Sequence, residues 1–226
     1  TGQFAVFDDP QAARAYVRQV GAPIVIKADG LCGGKGTIVA STLSEALGAI
    51  DLLMEDLIFK QAGERIIVEE KLYGEELSIM VLTDGTGAVP LLSSQDHKRL
   101  LDQDKGPSTG GMGAYAPVPA VTDSLVKTVM DQIIHPTLRG LASEGILFRG
   151  VLYAGLMLTT EGPKVLEYNV RFGDPEIQAI LPLLKSDLVV LLEDAIEGRL
   201  TQSHCVWEEG SAVCVVLASG GYPGEF

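Results

Sequence analysis

In the stretch KVLEYNVRFGDPE, Glu167, Asn169 and Arg171 recur at every second position. On a strand, that period puts all three on one face and Leu166, Tyr168 and Val170 on the other. A carboxylate and a carboxamide are hard oxygen ligands, suited to a magnesium ion that also holds substrate phosphates. One step further, an arginine can stabilise negative charge on a transferring phosphoryl or acyl group. The same pattern also fits a half-exposed strand carrying a Glu–Arg pair. Asp174 and Glu176 flank Pro175, where they either cap the next helix or open a helix start whose N–H groups bind an anion.

A second candidate lies near the N-terminus. Lys27 sits inside the apolar run PIVIKA, where burial is costly unless the ammonium meets an anion. DGLCGGKG follows, with Lys35 between Gly34 and Gly36. Gly30, Gly33, Gly34 and Gly36 carry no Cβ and let backbone N–H groups approach phosphate oxygens. The segment is not a Walker A loop, because position 29 is Asp, Gly36 follows the lysine and a strand comes next. It is either a flexible hairpin with solvated lysines or a lid that folds over a nucleotide's phosphates. Gly111–Ala116 fits a loose GxGxxA pattern, but it follows no strand, and Pro117 and Pro119 block a helix.

The acidic turn VEEKLYGEELS (68–78) is either solvated or an adenine hinge. In the second case an edge segment offers a C=O and an N–H to the base, and a nearby carboxylate accepts the ribose hydroxyls. QDHKR (95–99) and GPSTGGMG (106–113) bracket a stretch with no sustained period. There Asp96 suits an amine, Lys98 a phosphate, and Gly110 and Gly111 offer backbone donors. His97 reads as structural, since no second His or Cys has ligand spacing. His135 and His204 receive no role, and no Ser-His-Asp or Cys-His constellation stands out.

These groups need elements to position them. Asp9-Pro10 starts a helix that ends at Gly21. Strands are expected at 23–28 and 37–41 around the glycine loop, and an amphipathic helix at 44–58. Strands follow at 65–70 and 76–83, and a DGTG turn leads into 88–94. Residues 95–121 read as one long irregular stretch, functional or disordered. Helix resumes near 122–143, and strands at 149–158 and 164–170 flank a TEG turn. Further helices begin at Asp174 and, capped by Ser186, run to about Glu197. SAVCVVLAS (211–219) reads as a buried strand opening the next unit. This order predicts a mixed α+β chain with antiparallel hairpins, not a regular βαβ alternation.

Composition bounds the function. The chain has 226 residues, with 17 Lys+Arg against 30 Asp+Glu, so its formal charge is −13. That balance argues against a nucleic-acid or anionic-membrane partner, either of which needs a basic face. With 46% apolar residues, intrinsic disorder is not expected. The longest apolar run, Ala212–Ala218, is far short of a membrane span. TGQFAVFDDP has no basic n-region or apolar h-region, so it is no signal peptide. The three cysteines, Cys32, Cys205 and Cys214, lack CxxC spacing and read as free thiols in a reducing, cytoplasmic setting.

Taken together, VIKADG–GGKG, EEKLYGEE, SQDHKR, GPSTGGMGAY and LEYNVRFGDPE resemble an ATP-grasp enzyme, and more narrowly the phosphoribosylamine–glycine ligases of purine biosynthesis. The resemblance implies an ATP-grasp fold, two α+β subdomains gripping ATP between them. Residues 1–78 would form the small lid subdomain and 79–198 the large subdomain with the substrate and metal site. Residues 199–226 would begin a truncated C-terminal domain of a longer chain, either monofunctional or joined to other purine-pathway domains. It also implies ATP and Mg2+ as cofactors, with Mn2+ as a substitute, and glycine and 5-phosphoribosylamine as substrates. By this similarity Lys27 and Lys35 bind ATP phosphates under the Gly33–Gly36 lid. The Glu70 carbonyl and Leu72 N–H read adenine, and Glu76 holds the ribose. Glu167 and Asn169 ligate magnesium, and Arg171 steadies the acyl phosphate. Asp96, Lys98, Gly110, Gly111 and Asp174 help place the two substrates. The alternatives are another carboxylate–amine ligase of the superfamily and a nucleotide-binding module without turnover. Two departures stand out: Leu31-Cys32-Gly33-Gly34-Lys35-Gly36 replaces the family's LAAGKG, making Cys32 either an inert small residue or an alkylatable thiol. VLYAGLMLTT also lacks the acidic metal ligand common on the strand before Glu-x-Asn.

Overall fold

The computed structural model describes residues 1–32, 35–200 and 205–224. Gly33, Gly34 and His204 lie outside the described residues. Contacts divide the chain into two compact units, Thr1–Tyr73 and Gly74–Phe226. The division falls five residues before the expected boundary at 78, because one continuous strand runs through 75–83.

In the first unit, β1 (Phe4–Phe7), β2 (Ile24–Ala28), β3 (Thr37–Ala40) and β4 (Ile66–Glu70) form an antiparallel sheet of order β1-β4-β2-β3. Helix α1 (Pro10–Val20) starts as the sequence predicts. Asp9 accepts hydrogen bonds from the N–H groups of Gln11 and Ala12, Pro10 stands at the first turn, and Gly21 closes the end with φ 79°. Helix α2 (Leu43–Ile50) is capped by Thr42, whose hydroxyl accepts the Glu45 N–H at 3.2 Å. The expected helix to 58 is shorter: a π-helical turn covers Asp51–Glu55, and Leu57 and Lys60 take left-handed backbone conformations. Arg14 on α1 holds that turn through Asp51 at 2.5 Å and Glu55 at 2.6 Å. Ile24, Ile26, Ile66 and Val68 pack on Ala13, Val17, Ala46, Ile50 and Leu53 to form this unit's core.

The second unit is built on β5 (Glu75–Thr83), β6 (Ala88–Pro90), β11 (Gly150–Thr159) and β12 (Gly162–Asn169), in the order β12-β11-β5-β6. Alternation gives this sheet two faces. Leu77, Ile79 and Val81 of β5 and Leu152, Ala154 and Leu156 of β11 pack against a helical rod. The rod comprises α3 (Asp123–Val129), a π-helical turn and α4 (His135–Ser143), and it realises the predicted helix over 122–143. On the other face, Met80, Leu82, Val151 and Tyr153 meet α5 (Glu176–Ile180), α6 (Leu188–Glu197) and Leu91.

Three expectations are corrected here. Residues 95–121 are not structureless: β7 (Gln95–Asp96), β8 (Arg99–Leu101), β9 (Lys105–Ser108) and β10 (Gly113–Ala116) occupy them. These strands are too short for a period to show, and the β8–β9 turn uses left-handed Gln103 and Asp104 with no glycine to mark it. Asp187, not Ser186, caps α6, accepting from the N–H groups of Val189 and Val190, while the Ser186 hydroxyl accepts the Val206 N–H. The strand expected at 211–219 shrinks to β13 (Ala212–Val215), an edge strand on β10. It is half-buried only: Ala212 and Cys214 face the core, and Val213 and Val215 are each 72% exposed. Among the described residues no helix is long and apolar enough to cross a membrane.

Ile134 lies at the centre of the rod's contact with the sheet and is fully buried. Ile134→Ala is expected to lower unfolding stability by about 2–5 kcal/mol, the cost of lost transfer energy plus a cavity. Urea denaturation followed by far-UV circular dichroism measures it.

Candidate active site

The first unit carries the lysine and hinge residues. β2 and β3 form the hairpin that the glycine loop joins, and the Gly36 carbonyl accepts the Ala28 N–H at 2.9 Å. Gly36 is buried, and a Cβ there would stand 2.8 Å from Cys32 Sγ, so the loop needs glycine at this position. The half-buried Cys32 packs into that gap. Lys35 is exposed. Lys27 solves its burial problem within the sheet: its ammonium meets Glu69 Oε2 at 2.5 Å, and Glu69 is 5% exposed. Glu69 was absent from the sequence-based site, although an acidic neighbour was the physical requirement of a lysine at that position. Glu70 accepts the Gln3 N–H through its side chain at 3.0 Å. Residues 71–73 then leave the ladder, and the Leu72 N–H has no hydrogen-bond partner among the described residues.

The second unit gathers the remaining candidates around one sheet face. Register places Asn169 opposite Tyr153 and Glu167 opposite Gly155, and places Gly155 opposite Ser78 on β5. Glu167, Asn169, Tyr153, Gly155, Ser78 and Glu76 therefore share that face. Asn169 Nδ2 lies 3.3 Å from Glu167 Oε1, so the two side chains are adjacent. Gly155 gives them room, since a Cβ there would come within 3.2 Å of Glu167 Cγ. Glu167 is exposed. Two hard oxygen donors, adjacent, open to solvent and unobstructed from below, fit a divalent cation that completes its shell with phosphates and water. Among the described residues no group of three or more His, Cys, Asp or Glu could hold a metal by itself. Arg171 stands two residues past the end of β12, and its guanidinium donates to the Phe172 carbonyl at 2.8 Å.

β5 also positions Asp96. Ser78 and Ser94 exchange backbone hydrogen bonds, and Gln95 donates to the Glu76 carbonyl at 2.8 Å. Asp96 Oδ1 is buried and has no hydrogen-bond partner among the described residues. Burial, and after it the charge of Glu176, push this carboxyl up to about 7, against the opposing pull of Lys98. Gly111 closes over it at φ 125°, where an added Cβ would fall 2.7 Å from Asp96 Oδ1 and 2.4 Å from Pro175 Cδ. Lys98 lies 3.9 Å from Glu76. The glycine N–H groups expected as donors are engaged within the chain: that of Gly110 donates to the Tyr222 hydroxyl, and that of Gly111 to Thr109 Oγ1. Asp174 is exposed and accepts from Gln178 at 2.7 Å. His97 stacks on Tyr115 with centroids 5.9 Å apart, in keeping with a structural role.

Glu176 is where sequence reasoning fell short. It caps nothing. At 2% exposure its Oε1 accepts from the Tyr153 hydroxyl at 2.8 Å and from Ser78 Oγ at 3.1 Å. Burial, then the Glu176 charge, raises the Tyr153 pKa, so its hydroxyl stays a donor. The available signal was the lone polar residue in each of two apolar strands, Ser78 in LSIMVL and Tyr153 in VLYAGLML, since buried hydroxyls need partners.

An antiparallel sheet with helices on both faces, a lysine-bearing glycine hairpin and a Glu-x-Asn strand define the ATP-grasp class. Solved structures agree. The biotin carboxylase domain of Hydrogenobacter thermophilus 2-oxoglutarate carboxylase, solved with MgADP, superposes with a TM-score of 0.67 at 15% identity, over 94% of this chain and 46% of that one. A crystal structure of phosphoribosylamine–glycine ligase from Thermotoga maritima matches at a TM-score of 0.90 and 37% identity, over 99% of this chain and 56% of that one. The family model for the phosphoribosylglycinamide synthetase ATP-grasp (A) domain matches residues 1–177, and the chain belongs to that family. The phosphoribosylamine–glycine ligase of Yersinia pestis is 52% identical over all of this chain and 53% of its own length. That of Escherichia coli strain K12 is 51% identical with the same coverage. The chain thus spans about half the length of the curated relatives it matches.

The raised Asp96 carboxyl carries a stability signature. Its folded pKa, about 7, exceeds the ordinary 3.8, so its contribution is fully present below about pH 4 and is lost as pH rises through 7. Asp96→Asn removes that loss. The variant is expected to gain stability relative to the unaltered protein between pH 5 and pH 8, read as a growing difference in urea midpoint.

Proposed function

We propose that the complete protein ligates glycine to 5-phosphoribosylamine at the expense of ATP. Family membership and the relatives' shared name support this reading. The observation that carries it is the adjacency of Glu167 and Asn169 above Gly155, on the face that also bears Glu76. The glycine carboxylate would take the terminal phosphoryl group of ATP. The amine nitrogen would then bond to the carbonyl carbon, the carbon–oxygen bond to phosphate would break, and the nitrogen would lose a proton. The products are the amide, ADP and phosphate.

In this scheme residues of the first unit take the adenine and the phosphates, and Glu76 of the second unit takes the ribose. Lys27 and Lys35 bind phosphates, with Gly33, Gly34 and Gly36 forming the lid backbone. The Glu70 carbonyl and the unengaged Leu72 N–H meet the adenine edge, and Glu76 accepts the ribose hydroxyls. For Lys27 the phosphates compete with Glu69, so nucleotide binding exchanges one anion for another instead of creating a new buried charge pair. Glu167 and Asn169 would hold Mg2+, or Mn2+ in its place. When bound, that ion neutralises charge on the phosphate oxygens. Arg171 leaves the Phe172 carbonyl to face the acyl phosphate. Asp96 and Lys98 orient amine and phosphate groups. The turn carrying Asp174, and Gly110 and Gly111, shape the substrate site, with the two glycines acting through the close approach that they permit. Catalysis is then positioning and electrostatics. The reaction is a cytoplasmic one between small molecules, with no nucleic-acid or membrane partner.

Arg171→Ala tests the assignment. Glycine- and phosphoribosylamine-dependent ADP release should fall by roughly 10²–10³-fold, while ATP affinity by isothermal titration stays within about twofold. Equal loss of both would remove Arg171 from its role. ADP release only with another acid and amine would replace this ligation by a different one of the same class.

A further inference from the structure

We propose that Glu176 is a positioning residue for the divalent cation. From behind Tyr153 it supplies a second negative charge to the Glu167–Asn169 pair, and its hydrogen bonds hold the Arg171–Asp174 turn on the sheet. The inference rests on the assignment of Glu167 and Asn169 as metal ligands.

The metal pair is short of charge. Of its two side chains only Glu167 carries a charge, and β11 presents Gly155 and Tyr153 beside it, neither of them anionic. Tyr153 stands directly opposite Asn169, and its hydroxyl bonds to Glu176 at 2.8 Å. Ser78, opposite Gly155 in the next strand, bonds to the same oxygen. Glu176 is therefore one side chain, Tyr153, from Asn169, and it lies across Ser78 and Gly155 from Glu167.

Its charge is available to act there. Among the described residues no Lys or Arg pairs with Glu176, whose partners are two neutral hydroxyls. Ser78 Oγ and the Tyr153 hydroxyl are also 2.7 Å apart, so three close contacts share two hydroxyl protons. Both hydroxyls donate to Glu176 Oε1, as they do to an ionised acceptor. Burying a carboxylate without a counter-ion is costly, and its field is weakly screened in the interior. Asp96, on another strand, feels that field. A divalent cation near Tyr153 would repay the burial cost, and by linkage the carboxylate would tighten the cation.

The same residue fixes the turn before it. Gly173 packs on the Glu176 carboxylate so closely that a Cβ would stand 2.6 Å from Oε2. The Gly173 N–H points at Met80 Sδ at 3.2 Å, and its carbonyl accepts the Ile177 N–H. Arg171 and Asp174 thus leave from a turn that is seated on the sheet.

The test is Mn2+ affinity at saturating ADP in the complete protein, read from the free-Mn2+ signal in electron paramagnetic resonance. Glu176→Gln keeps the shape and an acceptor oxygen but removes the charge, and it should weaken Mn2+ binding about tenfold, the low end for residues behind metal ligands. Tyr153→Phe keeps the charge and should stay within about threefold. Unchanged affinity in folded Glu176→Gln, or an equal loss in Tyr153→Phe, would overturn the proposal. Should Glu176→Gln not fold, Tyr153→Phe and Ser78→Ala decide: retained affinity in both supports the charge, and a tenfold loss in either defeats it. The readout needs neither glycine nor amine, so it stands or falls separately from the ligation assay.

Discussion

The pairing of β5 with β11, Thr83 opposite Gly150 through Glu75 opposite Leu158, is the constraint on which the second unit depends. Every residue of β5 from Leu77 to Thr83 is buried, so both faces of the strand must find partners. Period two sends Ile79 and Val81 to the helical rod and Met80 and Leu82 to the other core. A slip of one residue would exchange the two sets and put Ser78 among the apolar side chains of the rod. Instead Ser78 reaches Glu176, and the polar end of the same face receives Glu167 and Asn169.

Charge is handled differently in the two units. Lys27 is half-buried beside Glu69, so each group has an opposite charge against it. Among the described residues Glu176 has hydroxyl partners instead of a cation, and Asp96 Oδ1 has no hydrogen-bond partner. Surplus negative charge thus accumulates in the unit assigned the metal and amine, and the half-buried Lys27 lies in the unit assigned the phosphates. A net charge of −13 shows nothing of this, because it sums over a surface while the chemistry depends on a few desolvated groups.

Elements with local causes were legible in the sequence. Asp9, Pro10 and Gly21 mark α1 through capping and φ preferences that need no tertiary partner. The β2–β3 hairpin around the glycine loop and the Glu167–Asn169 alternation follow from strand geometry and turn chemistry. Short strands between 95 and 116 were hidden because two to four residues show no period, and their hydrogen bonds come from neighbours distant in sequence. β13 looked buried by composition, but an edge strand covers one face only, and Val213 and Val215 fell on the open side.

By itself the sequence determined which residues could do chemistry and the motif order that marks an ATP-grasp ligase. Side-chain type and backbone periodicity are local properties, so a linear reading captures them. The tertiary structure decided what each group meets. Ser78, Tyr153 and Glu176 converge from positions as far as 98 residues apart, turning a presumed helix cap into a buried acceptor. The same folding engages the N–H groups of Gly110 and Gly111 within the chain and leaves Asp96 Oδ1 without a hydrogen-bond partner among the described residues. Desolvation is the reason: the cost of a charge, and hence its reactivity, depends on the atoms packed around it, and those are chosen by the fold.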